Sequence, residues 1–282
     1  MKIAIVVGGT NTTYALFNGK KILKKTEMKT HPEKGKEYFL NNLVKTIEKV
    51  KAGKKVKGIG IGIPGPIDQK RGIVLNPPNI PIRNFPLKKF LEKKFKTKVF
   101  LENDANCAAL GILSKKKIKN FVLITLGTGV GGAIVIDKKL YRGMGNAGEL
   151  GHITIDKNGY KCHCGNRGCL EEYISSRGFE RLAKKYFGKK ANPKEIEELA
   201  KNGNKKAIKI YEEVGRYLGI GLASISNILN PEIVFLTGKI SKSGMLLLRP
   251  AKEEMKRRIL VKPPKIRLSK NMELYGAAEL VK

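Results

Sequence analysis

The stretch Ile3–Lys21, IAIVVGGTNTTYALFNGKK, can be laid without a gap over Val122–Leu140, VLITLGTGVGGAIVIDKKL. In each copy a β-rich apolar run meets a Gly/Thr turn, a second apolar run follows, and a polar turn ends the unit. Asn18-Gly19 is a strong hairpin signal, and Asp137-Lys138 takes the equivalent place in the second copy. Later segments echo each other too. Lys57–Asp68, KGIGIGIPGPID, reads as a buried strand breaking into a Gly/Pro loop, and Ile233–Ser241, IVFLTGKIS, as a strand breaking into a Thr-Gly loop. Helical patterns lie between, notably Glu37–Val50 and Asn204–Asn230. Strands alternating with helices, duplicated once, predict an α/β protein with two similar halves facing across a cleft. No long linker or low-complexity segment separates them.

The turns of the repeat carry the first functional signal. Gly8-Gly9-Thr10-Asn11 and Gly127-Thr128-Gly129-Val130-Gly131-Gly132 present backbone N–H groups and hydroxyls at strand ends. Glycine-lined turns let phosphate oxygens approach the main chain closely. Each turn alone is ordinary. Two in matching positions of a duplicated fold point to one polyphosphate held between the halves.

The second signal is Gly151–Ser175, GHITIDKNGYKCHCGNRGCLEEYIS, which holds three of the four cysteines. Cys162, Cys164 and Cys169, with His152 ahead of them, make a full tetrahedral set for a structural zinc ion. Gly165 and Gly168 stand where the chain must bend to bring Cys169 round. The plainer alternative is a set of reduced surface thiols beside an ordinary polar histidine. A closed four-ligand site leaves no position for substrate, so zinc here is expected to fix the His152 ring. Metal ligation would also pin Glu149 and Glu171, which flank the cluster. Cys107, in an apolar Ala-rich segment, reads as a buried small side chain.

Composition narrows the rest. A chain of 282 residues suits two modest cores around a cleft. No apolar run approaches a membrane span, and the N-terminus lacks a signal-peptide pattern. Thiols clustered with metal spacing suit a reducing cytoplasm. The formal charge is +33, from 57 Lys plus Arg against 24 acids. Those lysines are spread along Lys20–Lys25, Lys51–Lys57, Lys88–Lys98, Lys115–Lys119 and Lys184–Lys206, with no aromatic-interleaved or helix-turn-helix element. The charge therefore reads as a solvated surface in a heat-adapted or high-salt cell rather than a nucleic-acid footprint.

Taken together, the motifs resemble the ROK family of sugar kinases, within the actin-like (ribonuclease H-like) hexokinase-type ATPase fold. The matching pieces are GGTNT at Gly8–Thr12, GIGIPGPID at Gly60–Asp68, ENDANCAALG at Glu102–Gly111 and LGTGVGG at Leu126–Gly132. They continue with GNAGELGH at Gly145–His152, CHCGNRGCLEEYIS at Cys162–Ser175 and NPEIVFLTG at Asn230–Gly238. The resemblance implies an N-terminal domain over residues 1–112, a C-terminal domain with an inserted zinc knuckle over 113–270, and a last helix at about 271–282 packing back on the first. It implies transfer of the ATP γ-phosphoryl group to a hexose hydroxyl, on a glucose-like or N-acetylhexosamine ring. Asp104 would be the general base. It follows a strand at Lys98–Leu101 and opens an Ala-rich helix, where the dipole favours its ionised form; a helix N-cap is the simpler role for such a residue. Gly65, Asn103, Asp104, Glu149, His152 and Glu171 would bind the sugar. Gly8, Gly9, Thr10, Asn11, Gly127, Thr128, Gly129 and Gly238 would hold the nucleotide with Mg(2+). A homodimer is the family default.

Three departures stand out. The family's first phosphate motif reads Asp-x-Gly-Gly-Thr, where this chain has Val6-Val7-Gly8-Gly9-Thr10. Asn79-Ile80-Pro81-Ile82-Arg83 replaces a Pro-Gly-Trp pattern, and Thr237-Gly238-Lys239 replaces a run of glycines. Slow turnover is one expectation from Val6. A non-catalytic sugar-binding protein is the main alternative; regulators of that family carry an N-terminal DNA-binding domain, for which a first strand beginning at Lys2 leaves no room. A kinase using polyphosphate is the third.

Overall fold

The computed structural model describes residues 1–77 and 79–282. In chain order the first strands are β1 (Lys2–Val7), β2 (Asn11–Asn18), β3 (Lys21–Lys29) and β4 (Gly58–Ile63), with α1 (Gly35–Lys51) before β4. A short hairpin, β5 (Ile67–Asp68) with β6 (Ile73–Val74), precedes α2 (Leu87–Phe95), β7 (Lys98–Asn103) and α3 (Asp104–Leu113). The second set begins with β8 (Phe121–Leu126), β9 (Val130–Ile136) and β10 (Lys139–Tyr141). Helices α4 (Glu171–Ile174), α5 (Ser176–Phe187), α6 (Pro193–Lys201) and α7 (Lys205–Leu229) lead to β11 (Ile233–Thr237). Then come α8 (Met245–Arg258), β12 (Lys265–Leu268) and α9 (Glu273–Glu279).

The two sheets run β3-β2-β1-β4-β7 and β10-β9-β8-β11-β12, so the duplication read from the sequence is a duplication of topology. Each opening hairpin is antiparallel, β1 on β2 and β8 on β9, and each sheet continues with parallel strands. The outermost strand β3 exposes all four of its lysines, which blunts an edge that would otherwise template pairing with another chain. Two compact units emerge: Met1–Ile118 with Lys138–Ala147 and Asn271–Lys282, and Lys119–Asp137 with Gly148–Lys270. Among the described residues no helix is long and apolar enough to cross a membrane.

Alternation in the sequence becomes two faces of the first sheet. Ile3, Ile5 and Val7 join Leu43 and Ile47 of α1 and the three isoleucines of β4 in one core. Ala4 points the other way, into a cluster with Cys107 of α3 and Ala277 of α9. By the period of two, Val6 lies on that same Ala4 face. The glycines of GIGIGI serve this face. A Cβ at Gly60 would stand 1.8 Å from the Ala277 carbonyl oxygen, and one at Gly62 would stand 3.0 Å from Cys107 Sγ. Helices α3 and α9 therefore lie directly on β4, which any larger residue would forbid. The expected helix at Asn204–Asn230 is α7, and both asparagines are its caps: Asn204 accepts from the Ala207 N–H, and Asn230 turns left-handed at φ 41°.

Candidate active site

The first unit builds its chemistry where β7 gives way to α3. Asn103 caps that helix, its Oδ1 accepting from the N–H groups of Ala105 (2.9 Å) and Asn106 (3.3 Å). Asp104 is thus the first helical residue and not the cap, although its Oδ1 also accepts from the Ala105 N–H at 2.9 Å. Asn103 Nδ2 points to the Gly65 carbonyl at 3.5 Å, which brings two of the expected sugar ligands together. Asp104 and Asn103 are half-buried. Directly behind them Glu102 is buried, bonded to Gln69, Asn106 and Arg142. The first glycine turn is closed by Gly8 N–H donating to the Asn11 carbonyl at 3.0 Å and by Thr30 Oγ1 donating to the Gly8 carbonyl at 2.6 Å. A Cβ at Gly9 would meet Asn79 Cβ at 2.9 Å, so the 79–83 loop lies against this turn.

In the second unit the other turn and the cysteine stretch form one structure. Gly127 N–H donates to the Gly129 carbonyl, and Ser176 ties the Gly127 carbonyl to the start of α5 through its N–H (2.9 Å) and hydroxyl (3.1 Å). Glu171, buried at the start of α4, accepts the Val130 N–H on Oε2 at 2.7 Å. Its Oε1 receives Arg177 Nη2 at 2.6 Å and lies 3.2 Å from His163 Nδ1. The adjacent Glu172 is buried too, paired with Arg177 and Arg181. Desolvation acts to raise its carboxyl, but Arg181 and Arg177 outweigh that and hold it below the usual range. Gly238 follows β11 at φ 98°, where a Cβ would stand 2.2 Å from the Leu126 carbonyl oxygen. Thr10 and Thr128 are exposed at their turn tips, and Glu149 is exposed ahead of the 3-10 turn Leu150–His152.

His152, Cys162, Cys164 and Cys169 converge, with all four ligand atoms within 4.8 Å of one another. Cys162 Sγ lies 3.7 Å from His152 Nδ1, and Cys164 Sγ lies 3.6 Å from Cys169 Sγ. Tetrahedral zinc with Zn–S bonds of about 2.3 Å spaces its ligand atoms at roughly 3.5–3.8 Å, so the donor set fits that ion. Gly165 and Gly168 bend at φ 98° and 69°, as the knuckle requires. Burial pushes the Cys162 thiol up and the Cys169 thiol up to about 12, so a metal entering here must displace their protons. With Nδ1 turned to the thiols, the His152 ring keeps Nε2 for another partner.

Sequence inspection did not single out Glu102, Gln69, Arg142, His163 or Arg177. Two carried a faint signal: Glu102 directly precedes Asn103-Asp104, and Gln69 is the one glutamine in the chain.

A duplicated sheet with these turns and this knuckle defines an α/β protein of the actin-like kinase architecture. The chain belongs to the ROK family, whose model matches residues 2–282. It is 35% identical over 273 residues to the glucokinase of Thermotoga maritima, covering 90% of this chain and 86% of that one. It is 36% identical over 248 residues to the xylose repressor of Caldicellulosiruptor bescii, covering 80% of this chain and 62% of the repressor. The crystal structure of a ROK family glucokinase from Streptomyces griseus, in complex with glucose and AMPPNP, matches with a TM-score of 0.84 at 31% identity. That match covers 99% of this chain and 98% of the other.

Proposed function

We propose that this protein transfers the γ-phosphoryl group of ATP to a hydroxyl of a hexose, with Asp104 as general base. The observation that carries the reading is the place of Asp104 at the start of α3, directly after Asn103, whose side chain caps the helix and points to the Gly65 carbonyl. The hexose hydroxyl gives its proton to Asp104, its oxygen bonds to the γ-phosphorus, and the bond to the β-phosphate bridging oxygen breaks to leave ADP. Such transfer is loose and largely electrostatic, so positioning and charge do most of the work. Gly65, Asn103, Glu149, His152 and Glu171 bind the sugar, since carboxylates, amides and imidazole pair with ring hydroxyls in fixed directions. The two glycine turns and Gly238 take the nucleotide. Cys162, Cys164, Cys169 and His152 would hold a structural zinc, whose chemistry is to keep the His152 and Glu171 loops in place.

Magnesium is a different matter. Residues Gly8–Asn11 contain no carboxylate, and the Val6 side chain offers no oxygen. Magnesium here would arrive chelated by the phosphates as part of the nucleotide substrate. That same apolar Val6, together with the repressor among the relatives, favours a second reading, a sugar sensor without turnover.

A coupled assay across hexoses with ATP, other nucleotides and polyphosphate separates these readings, with calorimetry reporting sugar binding. Asp104→Asn is expected to keep sugar affinity within about an order of magnitude and to cut turnover by about 10²–10⁴-fold. Near-normal turnover in that variant sinks the mechanism. Sugar binding with no turnover under any donor favours the sensor.

A further inference from the structure

Glu102 is a buried carboxylate that the proposed reaction does not use. Its side chain is 2% exposed, and Gln69 Nε2 (2.7 Å), Asn106 Nδ2 (3.0 Å) and the Asn103 N–H (3.0 Å) all donate to Oε1. Arg142 grips Oε2 with Nε and Nη2, each at 2.8 Å. A buried charge is costly unless it is paired and hydrogen-bonded, and among the described residues Arg142 makes its only ion pair. Arg142 comes from Lys138–Ala147, a segment that belongs to the first unit although the chain on either side of it belongs to the second. Asn146 fastens the same segment, its Oδ1 accepting the Ile67 N–H at 3.2 Å.

We propose that Arg142 is a positioning residue: by neutralising and orienting Glu102 it fixes Asn103 and sets the charge felt by Asp104. The inference rests on Asp104 being the base. Around the Cys107 thiol, Glu102 comes from β7, Asp104 from α3, Glu273 from α9 and Arg142 from the 138–147 segment. Glu102, Asp104, Glu273 and Arg142 all act on the Cys107 thiol, which burial pushes well up. Burial raises the Glu273 carboxyl, and Asp104 adds to that. Glu102, Asp104 and Glu273 thus share this corner with Arg142.

Arg142→Met leaves the negative charge of Glu102 uncompensated, which opposes ionisation of Asp104. Glu102→Gln leaves the positive charge of Arg142 uncompensated, which favours it. The acid limb of the kcat profile should move up by about half to one pH unit in Arg142→Met and down in Glu102→Gln. The double variant should return it close to the native position. Arg142→Lys keeps the charge but loses the two-pronged fork, so it should leave the limb in place while lowering kcat several-fold.

The measurement is kcat against pH for the native protein and these four variants, with thermal midpoints recorded alongside. Opposite shifts in the two single variants support the inference. Equal losses of activity with an unmoved limb, or shifts of the same sign, overturn it and leave Glu102 a structural hub. Should Glu102→Gln fail to fold, the half-exposed position still decides: a limb raised by Met and not by Lys supports the inference, and any other pattern overturns it. Near-normal turnover in Asp104→Asn would instead sink the assignment of the base. An inactive Asp104→Asn with unmoved limbs sinks only the role of Arg142.

Discussion

Glu171→Gln is the sharpest perturbation the second unit offers, because a carboxylate with two acceptors becomes an amide with one acceptor and one donor. In the native protein Oε2 holds the Val130 N–H at 2.7 Å and Oε1 holds Arg177 at 2.6 Å. The amide can keep only one of these. Turning its NH2 towards Val130 strands a buried N–H, at about 1–3 kcal/mol. Turning its NH2 towards Arg177 sets donor against donor and forfeits a charge-assisted bond. Arg177 is 38% exposed, so water recovers part of that loss and the second arrangement is the cheaper one. The expected destabilisation is about 1–2 kcal/mol, or roughly 2–6 °C in the unfolding midpoint. In the proposed sugar site an amide nitrogen then stands in place of an anionic oxygen, and sugar affinity should fall by about tenfold, near 1.4 kcal/mol. Thermal unfolding and calorimetric titration with the best hexose check both figures. An unchanged midpoint together with unchanged sugar affinity would refute the role given to Glu171, and a lowered midpoint alone would leave it a purely structural tie.

Two further outcomes are expected. Protein purified without chelator should contain one zinc per chain, and stripping it should weaken sugar binding by loosening His152 and Glu171; metal analysis that finds none would remove zinc from the account. Val6→Asp should raise turnover with magnesium-ATP and leave sugar affinity nearly unchanged, because Val6 lies on the Ala4 face of β1 and not in the α1 core. Native turnover already at about 1–100 s⁻¹, with no gain from the aspartate, would show that the missing acid does not matter here.

What was legible in the chain was local. The hairpins of the repeat, the helix ends at Asn204 and Asn230, and the glycine bends at Gly165 and Gly168 rest on interactions within a few residues. Periodicity and turn chemistry record such interactions directly. The four metal-type donors could likewise be gathered by reading, because a knuckle closes on its own neighbours. Helix α3 was legible as a helix, but not that Asn103 would take the cap and leave Asp104 the next place. Other features arose only when distant segments met. Gln69 and Arg142 reach Glu102 across 33 and 40 residues, and Val130 reaches Glu171 across 41. GIGIGI announced a strand, while the packing of α3 and the C-terminal residues around α9 decided why its glycines must stay small. A buried carboxylate takes whatever donor the chain's return brings within 3 Å, and sequence spacing holds no measure of that return.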